Sequence, residues 1–307
     1  VTLKDCEFAL PYGSYVYANT GYVVKTDWNT GGSAAPRLDT YPTVIRDRSG
    51  NSLSVLINFS VPWYKNGRPH GRGDMRGIVV NSKLLRYGLD DGDIGCYSLR
   101  PLEENDLKVT KATAYNTLVE WNWLKNGNDV SGADPIRKDG EGNVLPAIGQ
   151  GKLFCTASTT TGLGANFVYF ENAASKGTGT SALHYAAKWW NHAKNEGEAF
   201  VFHFSTQEIA SANNLTISFS QGAGSGNSTT LHFPTYWHVE YSTDGVNYSV
   251  LPDSKYVTRP LVQWANTFEF MSPGAIEHCF VLPNSLLGKP NVWVKLKGHS
   301  NKCATTT

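Results

Sequence analysis

The sequence predicts an all-β chain: a small barrel followed by a two-sheet sandwich. Three observations carry this expectation. Apolar residues alternate with polar ones over short runs, the period of a half-buried strand rather than of a helix. Thirty glycines, with abundant Ser, Thr and Asn, supply frequent turns in 307 residues. Charged residues make up only 17%, below the ~25% usual for globular chains, which suits a neutral, secreted surface. The length suggests roughly two domains, and 9 Trp, 15 Tyr and 13 Phe are enough to fill two cores.

The elements follow in order. YVYANTGYVVK, residues 15–25, reads as a strand interrupted by Gly. PTVIRDRSGNSLSVLINF, residues 42–59, reads as strand, polar turn, strand. Within it Leu53, Val55, Ile57 and Phe59 keep period two, so one face is buried. PWYKNGRPHGRGD is too rich in Pro and Gly for a helix. MRGIVVNSK and IGCYSLRP add two strands. Five short strands within about 90 residues suggest a small barrel, for which an OB-like fold is the common five-stranded solution. The first domain is therefore expected over 1–110. Residues 111–150, including KNGNDVSGADPIRKDGEGNV, read as linker and surface loop. From 151 to 307 the alternation resumes. Phe200, Phe202 and Phe204 share a face, as do Leu215, Ile217 and Phe219, with Thr216, Ser218 and Ser220 opposite. YWHVEYSTDGVNYSVL reads as a hairpin with a tight Asp244-Gly245 turn. FEFM, CFVLP and NVWVKLKG follow. Many alternating strands indicate a sandwich or jelly roll. SALHYAAKWWNHAKNEGE is compatible with helix, or equally with strand and loop.

Two stretches carry a resemblance. A strand ending in RD, the GIVV strand and the closing run Gly95, Tyr97, Leu99, Arg100, Pro101, Leu102 and Asp106 resemble an OB-like domain of unknown function in surface and secreted proteins of Bacteroidota-type bacteria. FHFSTQEIASANNLTISFSQG and HVEYSTDGVNYSVL resemble the galactose-binding-like jelly roll that often follows it. Here the chain stops at NKCATTT soon after NVWVKLKG, where that family usually adds another strand. The resemblance implies a cell-envelope or secreted location and an accessory binding role, with no reaction attached. VTLKDCEF carries no leader-like basic and apolar segment, so either a signal peptide has been removed or the chain belongs to a longer protein.

The net charge of +1 lacks the overall basic footprint of a nucleic-acid binder. No run of about 18 apolar residues offers a membrane span. Cys6, Cys96, Cys155, Cys279 and Cys303 are odd in number and widely spaced, which argues against a disulfide framework or a zinc site. They read as buried thiols, with one isolated bridge left open. None of the eight His falls in a metal-binding pair, and no nucleophile elbow, P-loop or dinucleotide fingerprint occurs. The chain is therefore expected not to be an enzyme, and no cofactor is implied. The one metal thought is Ca²⁺ at Asp90, Asp91 and Asp93, whose crowded carboxylates a hard cation would relieve. That run lacks EF-hand spacing and reads first as a solvated turn. The tripeptide Arg72-Gly73-Asp74 is short enough to arise by chance.

Two candidate binding surfaces remain. The first is a glycan site on the jelly roll, formed by Trp190 and Trp264 with His238 and Asn266. Its motive is phase: a core already supplied at period two leaves those Trp side chains surplus, against the rival and somewhat stronger reading that both cap the open ends of the sandwich. Trp237, in phase with Val239 and Tyr241, reads as core. The second is a groove for an anionic polymer on the barrel. Residues 37–86 hold nine Lys and Arg against three acids. Arg46, Arg48, Arg68 and Arg72 with Trp28, Trp63 and Tyr64 would line it, unless those charges pair locally. The expected function is a non-catalytic binding protein with a glycan or polysaccharide partner. The alternatives are a nucleic-acid accessory role through the barrel and a spacer without ligand.

Overall fold

The computed structural model describes residues 1–11, 15, 43–58, 61–64, 66–86, 95–121, 124–125, 128–129, 139–141, 143–156, 167–175, 180–187, 199–222, 236–257, 261–264, 267–270 and 275–298. The chain is all-β, as the alternation predicts: 47% is strand, and among the described residues no helix reaches seven residues. Strands β1 (Thr2–Phe8), β2 (Thr43–Arg46), β3 (Ser52–Val55), β4 (Arg72–Arg76), β5 (Ile78–Arg86) and β6 (Gly95–Arg100) form the N-terminal part. Short strands β7 (Leu124–Lys125) and β8 (Asn128–Asp129) pair with each other. Then come β9 (Gly151–Cys155), β10 (Phe167–Ser175), β11 (Thr180–Ala187), β12 (Ala199–Phe204), β13 (Leu215–Gly222), β14 (Tyr236–Ser242), β15 (Ser249–Val250) and β16 (Tyr256–Val257). The last four are β17 (Leu261–Trp264), β18 (Thr267–Phe270), β19 (Ala275–Leu282) and β20 (Val292–Gly298).

The first sheet runs β18-β17-β5-β6-β3-β2-β1-β4. Strand β1 pairs with both β2 and β4, β2 with β3, β3 with β6 in parallel, and β6 with β5. Only Gly77 separates β4 from β5 along the chain, although the two strands lie apart in the strand order and do not pair with each other. Inside lie Cys6, Phe8, Ile45, Val55, Ile57, Met75, Leu99 and Leu107. This buried set is the period-two face of the 42–59 run together with β1, β4 and β6. Residues 15–25, expected as a strand, lie outside the described residues except Tyr15.

The second core lies between the sheet β15-β14-β20-β12-β9 and the pair β13-β19. Strand β20 alternates buried and half-buried from Val292 to Gly298. Val292, Val294 and Leu296 therefore face inward, where they meet Trp237, Val239, Leu215 and Leu282. Phe200, Phe202, Ile217 and Phe219 pack against the same cluster, on the faces that phase assigns them. The architecture here is sandwich-like.

Several elements differ from the sequence reading. Strand β1 was not expected, and it sits between β2 and β4. Strands β14 and β15 pair antiparallel as the expected hairpin, but its turn is longer than two residues, with the Asp244 carboxylate accepting from Val246 N–H and Asn247 N–H at 2.8 Å. Strand β17 (Leu261–Trp264) was not expected; it pairs with β18, which covers most of the expected FEFM strand. The start of SALHYAAKWWNHAKNEGE takes the strand alternative of its reading, as part of β11 paired with β10.

The outer face of β13-β19 packs toward β2 rather than toward water. Arg46 Nη1 donates to Thr216 Oγ1 at 3.0 Å and to Ser218 Oγ at 3.2 Å. Ser52 Oγ donates to the Cys279 carbonyl at 3.0 Å, and Cys279 packs with Ala9 and Val44. Arg68 Nη1 reaches Glu277 Oε1 at 2.6 Å, with both side chains almost wholly buried. The alternation of small polar residues along β13 thus serves an internal junction between the two halves of the sequence.

Candidate functional site

A surface cleft of about 450 Å³ opens at this junction, lined by Arg48, Ser49, Asn213, Asn214, Val281 and Asn284. Its volume falls within the ~300–1,000 Å³ of small-ligand sites. The first wall is the turn between β2 and β3. Asp47 builds it: Oδ1 accepts from Ser49 N–H at 2.8 Å and Asn51 N–H at 3.0 Å, and Oδ2 accepts from the Asn51 amide at 2.9 Å. Gly50 has φ +88°, and a Cβ there would lie 2.6 Å from Val281 Cγ2. Only Gly lets the turn settle onto β19 in this way. The opposite wall comes from the turn before β13 and from the 3-10 turn Asn284–Leu286.

The walls are fastened to each other. Asn214 Nδ2 donates to the Arg48 carbonyl at 2.9 Å. Tyr115 Oη donates to the Asp47 carbonyl at 2.9 Å, and the Arg46 guanidinium lies 3.7 Å from the centre of the Tyr115 ring. The lining itself is open: Arg48, Ser49, Asn213, Val281 and Asn284 are exposed. Among the described residues, no side-chain hydrogen bond engages the Asn213 or Asn284 carboxamide. A carboxamide offers two N–H donors and one carbonyl acceptor, so the lining can both give and receive hydrogen bonds.

The basic residues singled out from sequence separate into distinct roles. Arg46 is nearly buried and pairs with Glu7 at 3.0 Å. Arg72 pairs with Asp5 and donates to the Ala112 carbonyl at 2.9 Å. Arg68 is interior, bound to Glu277 and to the Leu10 carbonyl at 2.7 Å. Trp63 and Tyr64 pack on the first core, and Trp63 meets Tyr15 edge-on at 5.3 Å. Of the four arginines singled out, Arg48 alone projects largely into water, with its side chain 66% exposed and its nearest acid, Asp5, at 4.0 Å. Trp28 lies outside the described residues. Arg46 and Arg72 are thus answered by Glu7 and Asp5 of β1, and Arg68 by Glu277 of β19. The bonds from Lys111 and Arg72 hold the Asp5 carboxyl below its ordinary range, against the opposing effect of desolvation.

Of the four jelly-roll residues, Trp190 and Asn266 lie outside the described residues, as do Asp90, Asp91 and Asp93. Trp264 ends β17 in the first sheet, whereas His238 lies on β14 in the other. His238 Nε2 stands 3.0 Å from Glu240 Oε1, which also accepts from Lys297 Nζ at 3.0 Å. Burial pushes the Glu240 carboxyl up, and these two bonds outweigh it, so the group rests below its usual range. Farther along the same face His203 stacks on Trp293 at 4.3 Å and meets Asn291 Oδ1 at 3.0 Å. A Cβ on Gly245 would come within 3.0 Å of the Trp293 ring, so the indole is tightly flanked. This face carries charges already paired and rings already stacked.

Cys6, Cys155 and Cys279 are free thiols, the first and last buried. Among the described residues no group of three His, Cys, Asp or Glu stands close enough to hold a metal ion, and no helix is long and apolar enough to cross a membrane. Sequence reading named one cleft residue, Arg48. It missed Ser49, Asn213, Asn214, Val281 and Asn284, whose only signal was an Asn doublet in a turn. No family model matches this chain, and neither a curated protein nor a solved structure matches it.

Proposed function

We propose that this chain is a non-catalytic saccharide-binding protein whose ligand seats in the cleft between the 47–51 turn and the 213–214 and 284–286 turns. One observation carries the reading: a cleft of small-ligand size lined by three carboxamides, a hydroxyl and a guanidinium, beside the exposed Val281. Sugar hydroxyls donate and accept at once, and carboxamides answer both needs. The valine offers an apolar contact for the C–H face of a ring. In this reading the sheet formed by β1–β6 is the OB-like barrel, the β14-containing sheet with β13-β19 is the jelly roll, and the protein works at the cell envelope or outside the cell.

The test is calorimetric titration with a panel of defined oligosaccharides. Asn213→Ala with Asn284→Ala should weaken binding about tenfold or more, because each lost hydrogen bond costs about 0.5–1.5 kcal/mol, with an unchanged melting temperature. Affinity that survives the double variant, or binding confined to single-stranded DNA with a steep salt dependence, would refute the cleft as a saccharide site.

A further inference from the structure

The charges around the cleft carry the reading one step further, to the class of sugar. Arg48 is the one charged residue among the six that line the cleft. The carboxylates near it are committed elsewhere. Asp47, its neighbour in sequence, gives both oxygens to the turn, accepting from Ser49, from Asn51 N–H and from the Asn51 amide. Asp5 approaches Arg48 only to 4.0 Å. It is bound more closely by Arg72 and by Lys111 at 3.0 Å, so two cations already face this one carboxylate. Arg48 therefore presents a largely uncompensated positive charge at the cleft mouth.

A guanidinium has a planar fork of donors that matches an anionic oxygen group. The Asn213 and Asn284 carboxamides stand beside it for neutral hydroxyls. We propose that the cleft selects acidic saccharides, with Arg48 gripping an anionic oxygen group on the sugar while the asparagines hold its hydroxyls. The inference rests on the cleft being the saccharide site. Carboxylated and sulfated sugars share the required chemistry, and the test separates them.

The experiment measures affinity of the full chain for three oligosaccharides of matched length: one built of uronate sugars, one sulfated, one neutral. The proteins are the wild type, Arg48→Gln, Arg48→Lys and the Asn213→Ala/Asn284→Ala double variant. Arg48 is solvent-exposed, so its replacement leaves folding intact, and the melting temperature verifies this. At least one acidic ligand should bind about tenfold more tightly than the neutral one, the scale of a charge-assisted hydrogen bond. Arg48→Gln should erase that preference, weakening the acidic ligand about tenfold more than the neutral one. Arg48→Lys should keep part of it, since the charge remains and the fork is lost. The double asparagine variant should weaken all ligands that the wild type binds. Which acidic arm is preferred identifies the anionic group. Equal binding of neutral and acidic ligands by the wild type, or an acidic preference that survives Arg48→Gln, overturns the acidic selectivity and leaves the cleft reading standing. Loss of no affinity in the asparagine variant overturns both.

Discussion

Arg68 and Glu277 make the strongest single claim about what holds the two halves of the chain together. Arg68 lies between β3 and β4, Glu277 lies on β19, and their side chains are 0% and 3% exposed. Glu277 also accepts from Val44 N–H at 3.1 Å. Removing one member of a buried pair strands the other charge and costs about 3–5 kcal/mol. That is a large part of the ~5–15 kcal/mol that keeps a protein folded. Arg68→Met and Glu277→Gln should each lower the melting temperature by roughly 6–20 °C. The double variant Arg68→Met/Glu277→Gln removes both charges and keeps an acceptor for Val44 N–H. It should recover most of that loss, retaining a cost of about 1–2 kcal/mol. The assay is urea unfolding of all four proteins, read as a double-mutant cycle. The pH dependence supplies an independent check. Burial pushes the Glu277 carboxyl up against the pull of Arg68, so losing Arg68 raises it further. A raised folded pKa favours the folded state at low pH, so the cost of Arg68→Met should be smallest below about pH 4. It should grow as the pH rises through the raised value. Single losses under about 1 kcal/mol, losses that simply add in the double variant, or a cost that shrinks as pH rises would each refute the clasp.

Two further outcomes follow from charge and burial. Asp139 is held at about 2, chiefly by its bond from Asn143, and Asp244 lies lower still through Asn247 and the surrounding turn. Depressed folded values mean that these stabilising contributions are present above about pH 4 and fade as the pH falls toward 2. The melting temperature should therefore drop between pH 4 and 2.5, and Asp244→Asn should flatten part of that drop. Burial pushes the Cys6 thiol up to about 11 and raises Cys279. At pH 8 iodoacetamide should label neither residue in the native protein and both in urea, as read by peptide mass spectrometry.

Legibility in the sequence tracked whether a signal was local. The alternation through Leu53, Val55 and Ile57 reports the burial of one face, and Val55 and Ile57 are wholly buried in the first core. Leu215 and Ile217 against Thr216 and Ser218 likewise separate the two faces of β13. Alternation could not say what covers the polar face, which meets Arg46 rather than water. Strand β1 was hidden because Lys4 and Asp5 interrupt its pattern. Asp5 adopts φ +56°, and the register with β4 shifts between Leu3 and Cys6. With β1 unread, its acids Asp5 and Glu7 were unavailable to answer the basic surplus, and paired arginines resembled a groove. The cleft was less legible still, because Asn214 and the Arg48 carbonyl it binds are 166 positions apart. No window along the chain contains both walls.

The clasp and the cleft belong to one junction, and that has a consequence for ligand and stability together. Arg48 and Ser49 come from the β2–β3 turn, whereas Asn213, Asn214, Val281 and Asn284 come from the second half. A ligand that touches both walls binds only the docked arrangement, so it stabilises that arrangement by mass action. At one hundred times its dissociation constant the gain is about 2.7 kcal/mol, close to the lower bound of the cost of stranding Glu277. A saturating acidic oligosaccharide should therefore restore most of the melting temperature lost in Arg68→Met. The same ligand concentration should give only about half that rescue in the Arg68→Met/Asn213→Ala/Asn284→Ala variant, because an affinity about tenfold weaker leaves a gain of about 1.4 kcal/mol. Differential scanning calorimetry across a ligand series reads both. Equal rescue of the two variants would mean that the ligand does not use the carboxamides, and the cleft would then not be its site.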